Sequence, residues 1–149
     1  MSLEQQISKG IMDAMKAKDH VRLMALRNVK KYIIEAKTSG ASIDELSDAD
    51  VLKIIQKLTK QGQDSAEIYR SQGREDLYAE ENAQVEILKE FLPARLTDDE
   101  LTAAVKSIIE TVGASSMKDM GKVMGVASKQ LAGKADGKDI SAKVKQLLS

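Results

Sequence analysis

The sequence predicts an all-α protein in two parts, an N-terminal four-helix domain over residues 1–92 and a small three-helix tail domain over 93–149. Three observations lead there. The composition leans on Ala, Leu, Lys, Glu, Ile and Met with 3% aromatic residues, preferences that favour helices over strands. Apolar residues recur at three- and four-residue spacing in one segment after another, and no stretch alternates as a half-buried strand would. The only proline, Pro93, follows the fourth helical pattern. A residue preceding proline is biased out of the helical region, so the domain boundary is placed there.

The first helix is predicted over about 3–18, with Leu3, Ile7, Ile11 or Met12, and Met15 on one face. A second spans about 19–39, capped by Asp19, faced by Leu26, Val29, Ile33 and Ala36, and closed by Gly40. Ser47 then caps a third helix, with Asp50 at the reciprocating position and Leu46 and Val51 as a staple pair. That helix continues through Ile54, Ile55 and Leu58 toward Gly73, and Gly62 within it is expected to mark a bend. The fourth starts at Arg74 or Glu75 and uses Leu77, Val85, Leu88 and Phe91. After Pro93, Thr97 and Glu100 form a capping box, with Leu96 and Leu101 as its staple. The helix so started carries Leu101, Val105, Ile108, Ile109 and Val112 and ends at Gly113. A sixth helix is predicted over about 117–132, closed by Gly133, and a last one from about Asp139 buries Ile140, Val144, Leu147 and Leu148.

Composition narrows the function classes. At 149 residues, with 42% apolar and 31% charged side chains, the chain suits an ordinary globular protein with a real core. The absence of cysteine excludes disulfides and thiolate metal sites. Met1-Ser2-Leu3-Glu4-Gln5-Gln6 lacks the basic-then-apolar layout of a signal peptide. No apolar run approaches the roughly 18 residues that cross a bilayer. A cytoplasmic protein without membrane association is expected.

Catalytic constellations are missing. His20, the only histidine, sits at a predicted helix start beside Asp19 and reads as an exposed or capping residue. There is no Gly-x-x-x-x-Gly-Lys-Ser/Thr loop, and no serine stands next to an activating base. No catalytic residue, metal ligand set or small-molecule cofactor is therefore expected. Carboxylates crowd Glu75, Asp76, Glu80, Glu81, Glu86 and Glu90, and pairing of Glu86 and Glu90 with Lys57, Lys60, Arg70 or Arg74 is the simplest account. The basic run Arg22, Arg27, Lys30, Lys31 and Lys37 reads first as a solvated helix face, and alternatively as a strip toward phosphate.

The zero net charge hides an asymmetry, since residues 114–149 hold 7 Lys against 3 Asp, a net of +4. On the sixth helix Met117, Met120, Val123, Met124, Ala127 and Leu131 fall in one arc at about 100° per residue. Lys118, Lys122 and Lys129 gather on the opposite side, and Gly121 and Gly125 lie between. Two interior glycines cost roughly 1 kcal/mol each relative to alanine, so a close approach is expected to compensate. The neighbour is either another helix or a nucleic-acid backbone, and the spacing leaves both open. Lys134 and Lys138, flanking Asp136-Gly137 in an expected turn, extend the positive surface. Residues 114–149 contain no aromatic side chain for stacking on unpaired bases, so folded RNA read by shape and backbone is the better nucleic-acid fit.

Several segments resemble the GatB/YqeY family: Arg22-Leu23-x-x-Leu26-Arg27, Gly73-Arg74-Glu75-Asp76-Leu77, and Phe91-Leu92-Pro93-x-x-Leu96-Thr97-x-x-Glu100. Lys118-Asp119-Met120-Gly121-Lys122-Val123-Met124-Gly125 and Gly133-Lys134-Ala135-Asp136-Gly137-Lys138 complete the series in the family's order. From about Thr97 onward the chain also resembles the GatB tail domain of the glutamine-dependent aminoacyl-tRNA amidotransferases. The resemblance implies a helical domain followed by a three-helix tail, and a contact with tRNA on Lys118, Gly121, Lys122, Gly125, Lys134 and Lys138. It does not carry over carbon–nitrogen ligase activity, because nothing here resembles the amidotransferase's catalytic domain. The expected role is a non-catalytic tRNA-associated protein. The alternatives are a protein-interaction module and an accessory of a tRNA amidotransferase.

Overall fold

The structure is a computed structural model describing residues 1–39 and 45–149, and the closing role expected of Gly40 lies outside the described residues. Seven α-helices and one 3-10 turn, with no strand, make up the secondary structure of the described residues. The chain divides into two compact units, Met1–Leu92 and Pro93–Ser149, each with its own apolar core.

The first unit holds α1 (Leu3–Ala17), α2 (His20–Ser39), α3 (Asp48–Ser71) and α4 (Glu75–Lys89). Ser2 and Gln5 cap α1 reciprocally, satisfying two backbone donors that the first turn would otherwise leave open. Lys18 then takes a left-handed conformation, and the Asp19 carboxylate accepts the Arg22 N–H at 3.1 Å, so only two residues separate α1 from α2. Ile7, Leu26, Val29, Ile33, Val51 and Ile55 are fully enclosed. Each contributes about 1.5–3 kcal/mol of hydrophobic stabilisation.

Two apolar positions differ from the sequence expectation. Met12 and Met15 are exposed, and Ala14 occupies the core position. A Cβ on Gly10 would stand 2.8 Å from Leu26 Cδ1, so α1 and α2 approach too closely for a methionine at the contact. Gly62 does not bend α3, which is continuous from Asp48 to Ser71. A Cβ there would meet Val85 Cγ2 at 2.6 Å, so Gly62 is the point where α4 presses against α3. Glu86 and Glu90 are both paired, but not with the Lys57, Lys60, Arg70 or Arg74 expected for them. Glu86 meets Lys89 at 3.4 Å, and Glu90 accepts from Arg22 Nη2 through both oxygens at 3.1 and 2.8 Å. Arg74 pairs with Asp76 at 3.1 Å instead of with Glu86 or Glu90.

Glu4, buried in α1, holds two segments of this unit. Its carboxylate is ion-paired with Lys37 in the last turn of α2 and accepts the Leu46 N–H at 3.2 Å. Ser47 caps α3 through its hydroxyl, accepting the Asp50 N–H at 3.2 Å.

The second unit holds α5 (Asp98–Val112), a 3-10 turn (Met117–Asp119), α6 (Met120–Gln130) and α7 (Gly137–Leu148). The Thr97–Glu100 capping box forms in full, and α5 closes on Gly113, whose φ of +70° favours glycine. Leu101, Val105, Ile108, Val123, Leu131, Ile140 and Val144 build the core. The sixth helix is shorter than its apolar pattern. Ser116 accepts the Lys118 N–H at 3.4 Å and Asp119 accepts the Ser115 N–H at 3.0 Å, tightening its first turn into a 3-10 form. At the other end the helix stops at Gln130, ahead of a turn through Gly133 at φ +77°. The last helix begins at Gly137, two residues earlier than expected, because Asp136 is extended before it. Lys138 therefore lies in a helix and not in a turn. No helix among the described residues is long and apolar enough to cross a membrane.

Candidate functional site

The outer surface of α6 is where the sequence concentrated its signal. Val123 and Ala127 are buried, and Met120 and Met124 pack against the same core from its edge. At about 100° per residue, Gly121, Gly125, Lys129 and Lys122 then span about 100° of arc on the opposite side of the helix. All four are exposed. Neither glycine packs against anything: a Cβ built on Gly121 or Gly125 would find no atom within 4 Å. The compensating close approach expected from their helix cost is therefore not made inside this unit. The result is a strip one helical turn long without side-chain bulk, edged by two ammonium groups.

The remaining predicted positions lie on other elements. Lys118 is exposed in the 3-10 turn that leads into α6. Lys134 is half-buried in the turn after α6, where its carbonyl accepts the Leu96 N–H at 2.9 Å. Lys138 is exposed in the first turn of α7. The structure thus gathers Gly121, Lys122, Gly125 and Lys129 on one face, and sets Lys134 and Lys138 beyond it. None of Lys118, Lys122, Lys129, Lys134 and Lys138 has an ion-pair partner among the described residues.

Another lysine of the tail behaves differently. Lys143 is 9% exposed and meets Asp98 at 3.0 Å, fastening α7 to the start of α5. At about 100° per residue it lies at the edge of the buried arc of Ile140, Val144 and Leu148, a signal that the charge count alone does not reveal. Arg95 likewise meets Asp136 at 3.1 Å, so neither cation is available to an outside anion without breaking a pair. Glu100 is shifted below the usual glutamate range, first by the Thr97 backbone N–H and then by the Thr97 hydroxyl, both of which favour its charged form. These groups are structural.

The described residues contain no grouping of three or more His, Asp or Glu side chains that could hold a metal ion. His20 is exposed at the first position of α2. A bare helical strip bordered by ammonium groups can neutralise and approach a polyanion.

Comparison with known proteins places the whole chain. The family described as Yqey-like protein matches residues 4–148. The chain belongs to the YqeY-like protein family. Among curated YqeY-like relatives, "Altered inheritance of mitochondria protein 41, mitochondrial" from Pyrenophora tritici-repentis is 27% identical over 147 residues, covering 96% of this chain and 79% of that protein. An uncharacterised protein from Schizosaccharomyces pombe is 29% identical over 92 residues, 62% of this chain and 73% of that one. The YqeY-like match runs through both compact units, so the α6 strip belongs to the family region and is not an appendage to it.

Proposed function

We propose that this YqeY-like protein is a non-catalytic, tRNA-associated helical protein whose tail contacts the backbone of folded RNA along the outer strip of α6. The observation that supports this reading is the pair of bare glycines, Gly121 and Gly125, left open to solvent beside the unpaired Lys122 and Lys129. Lysines supply point charges to phosphate, and a surface without Cβ atoms lets a sugar-phosphate chain come close. The resemblance of the tail to that of the aminoacyl-tRNA amidotransferases points to tRNA as the polyanion. The setting is the cytoplasm or a mitochondrial compartment, the latter as in the name of the Pyrenophora relative.

The test compares tRNA affinity of the wild type with a Lys118, Lys122, Lys134 triple alanine variant across a salt series. Each lost phosphate contact lowers the slope of log K against log salt by roughly 0.7–0.9, so the variant should lose about 2–3 units of slope. Equal affinity at every salt concentration removes this reading.

The same openness favours a second reading, in which a partner helix seats on the glycine strip. Gly125→Leu would then abolish a nuclease-resistant protein complex that the lysine variants leave intact. If that partner is a tRNA amidotransferase, the protein copurifies with its subunits or changes the transamidation rate when added.

A further inference from the structure

The first unit carries a second unexplained surface, on the side of α1 and α2 away from the core. The two helices run antiparallel: Lys30 Nζ donates to Ser8 Oγ at 3.1 Å, and Gly10 lies against Leu26. Counting about 100° per residue from the core positions, Ser8, Met12 and Met15 fall in one arc of α1, and Leu23, Arg27 and Ile34 in one arc of α2. In an antiparallel pair these arcs open toward the same side, joined by the Lys30–Ser8 bond. Met24 and Lys31 crown α2 on that side. The methionines are not core residues that slipped outward by a few degrees; Met12, Met15 and Met24 are 58%, 53% and 58% exposed.

Charge on this face has one sign where it meets the methionines. Arg27 and Lys31 have no carboxylate partner among the described residues, Lys30 is bonded to a hydroxyl, and Glu35 lies toward the far end of α2. We propose that this face is a docking surface for an acidic amphipathic helix of a partner protein, its apolar stripe on Met12, Met15 and Met24 and its carboxylates on Arg27, Lys30 and Lys31. Unbranched, polarisable methionine adapts to an incoming helix, and the cationic rim selects an anionic one. A second copy of the chain would bring Arg27 and Lys31 against their own kind. A bilayer wedge would call for Trp or Phe beside the aliphatic residues, and Leu23 and Ile34 on this face have no exposed aromatic with them.

The probe is a synthetic acidic amphipathic helix of about 18 residues, five turns, with Leu on one face and Glu on the other, against a scrambled peptide of equal composition. The full chain should bind the helix saturably in anisotropy titrations and shield Met12, Met15 and Met24 from peroxide oxidation. Met12→Asp with Met24→Asp should abolish binding. Arg27→Glu with Lys31→Glu should weaken it by about tenfold or more, with a flatter salt dependence. All four positions are exposed, and an unchanged melting temperature confirms that the variants fold. Equal binding of helix and scramble, or none, overturns the proposal. So does methionine-dependent self-association in sedimentation, or methionine-dependent flotation with phosphatidylserine vesicles.

Discussion

Alanine at Gly121 and Gly125 should make the protein more stable and, under the proposed function, a poorer partner for tRNA. Gly125 lies in the interior of α6, where glycine costs about 1 kcal/mol relative to alanine. Gly121 is in the first turn, where fewer backbone bonds fix the chain, and about half that is expected. Because an added Cβ at either position meets no atom within 4 Å, no packing penalty subtracts from the gain. The double variant should therefore gain about 1.5 kcal/mol. At the size of the tail unit, this raises the midpoint of its thermal transition by roughly 6–12 °C. Circular dichroism melts measure that gain, and a tRNA titration on the same samples measures the loss, expected to be about tenfold if the two methyls hold the phosphate chain off the helix. Gly62→Ala supplies the contrast. With stiff Val85 Cγ2 at 2.6 Å from the new methyl, the same exchange should cost about 1–3 kcal/mol. A destabilised Gly125→Ala protein would refute the assignment of that face to solvent. A stabilised one with undiminished tRNA affinity would refute the close approach.

Other outcomes follow from the tail. Thr97→Ala removes the hydroxyl that accepts the Glu100 N–H at 3.1 Å and should lower stability by about 1 kcal/mol in urea denaturation. Glu100 has a folded pKa below its unfolded one, so its share of stability is present above the ordinary glutamate range and lost as pH falls through the folded value. Glu100→Gln should flatten that acid limb in a pH series of melts. Lys143→Met replaces a nearly buried ammonium by an apolar side chain of similar length, so stability should hold or rise while tRNA affinity stays unchanged. Equal loss of tRNA binding in Lys143→Met and Lys122→Ala would erase the distinction between structural and exposed lysines.

What could be read in advance depended on how local its cause is. Thr97, Glu100 and Gly113 act within one turn of themselves, and the capping box and left-handed closure they signal are present. Asp19 likewise caps α2 from its own side chain. Gly62 and Gly125 look alike in the sequence, each an isolated glycine in a helical pattern, yet one is pressed against Val85 and the other open. Nothing within a few residues decides that; the placement of α4 does. Met15 and Ala14 present the same problem. Periodicity permits either at the interface, and the narrow α1–α2 spacing at Gly10 selects the smaller. At the candidate strip, periodicity sufficed to place Gly121, Lys122, Gly125 and Lys129 together on α6. It did not reach Lys134 and Lys138, whose placement follows from the turn after α6 and the earlier start of α7.

The hydrogen bond from the Leu96 N–H to the Lys134 carbonyl, with Arg95 on Asp136 beside it, fastens the front edge of the tail to its own middle. Stitched at its border and filled by its own apolar interior, the stretch 93–149 should behave as a portable cassette. Cut at Pro93 and fused behind an unrelated carrier, it should keep its helical spectrum and melt cooperatively. A gene could then acquire or shed this piece without redesigning what precedes it.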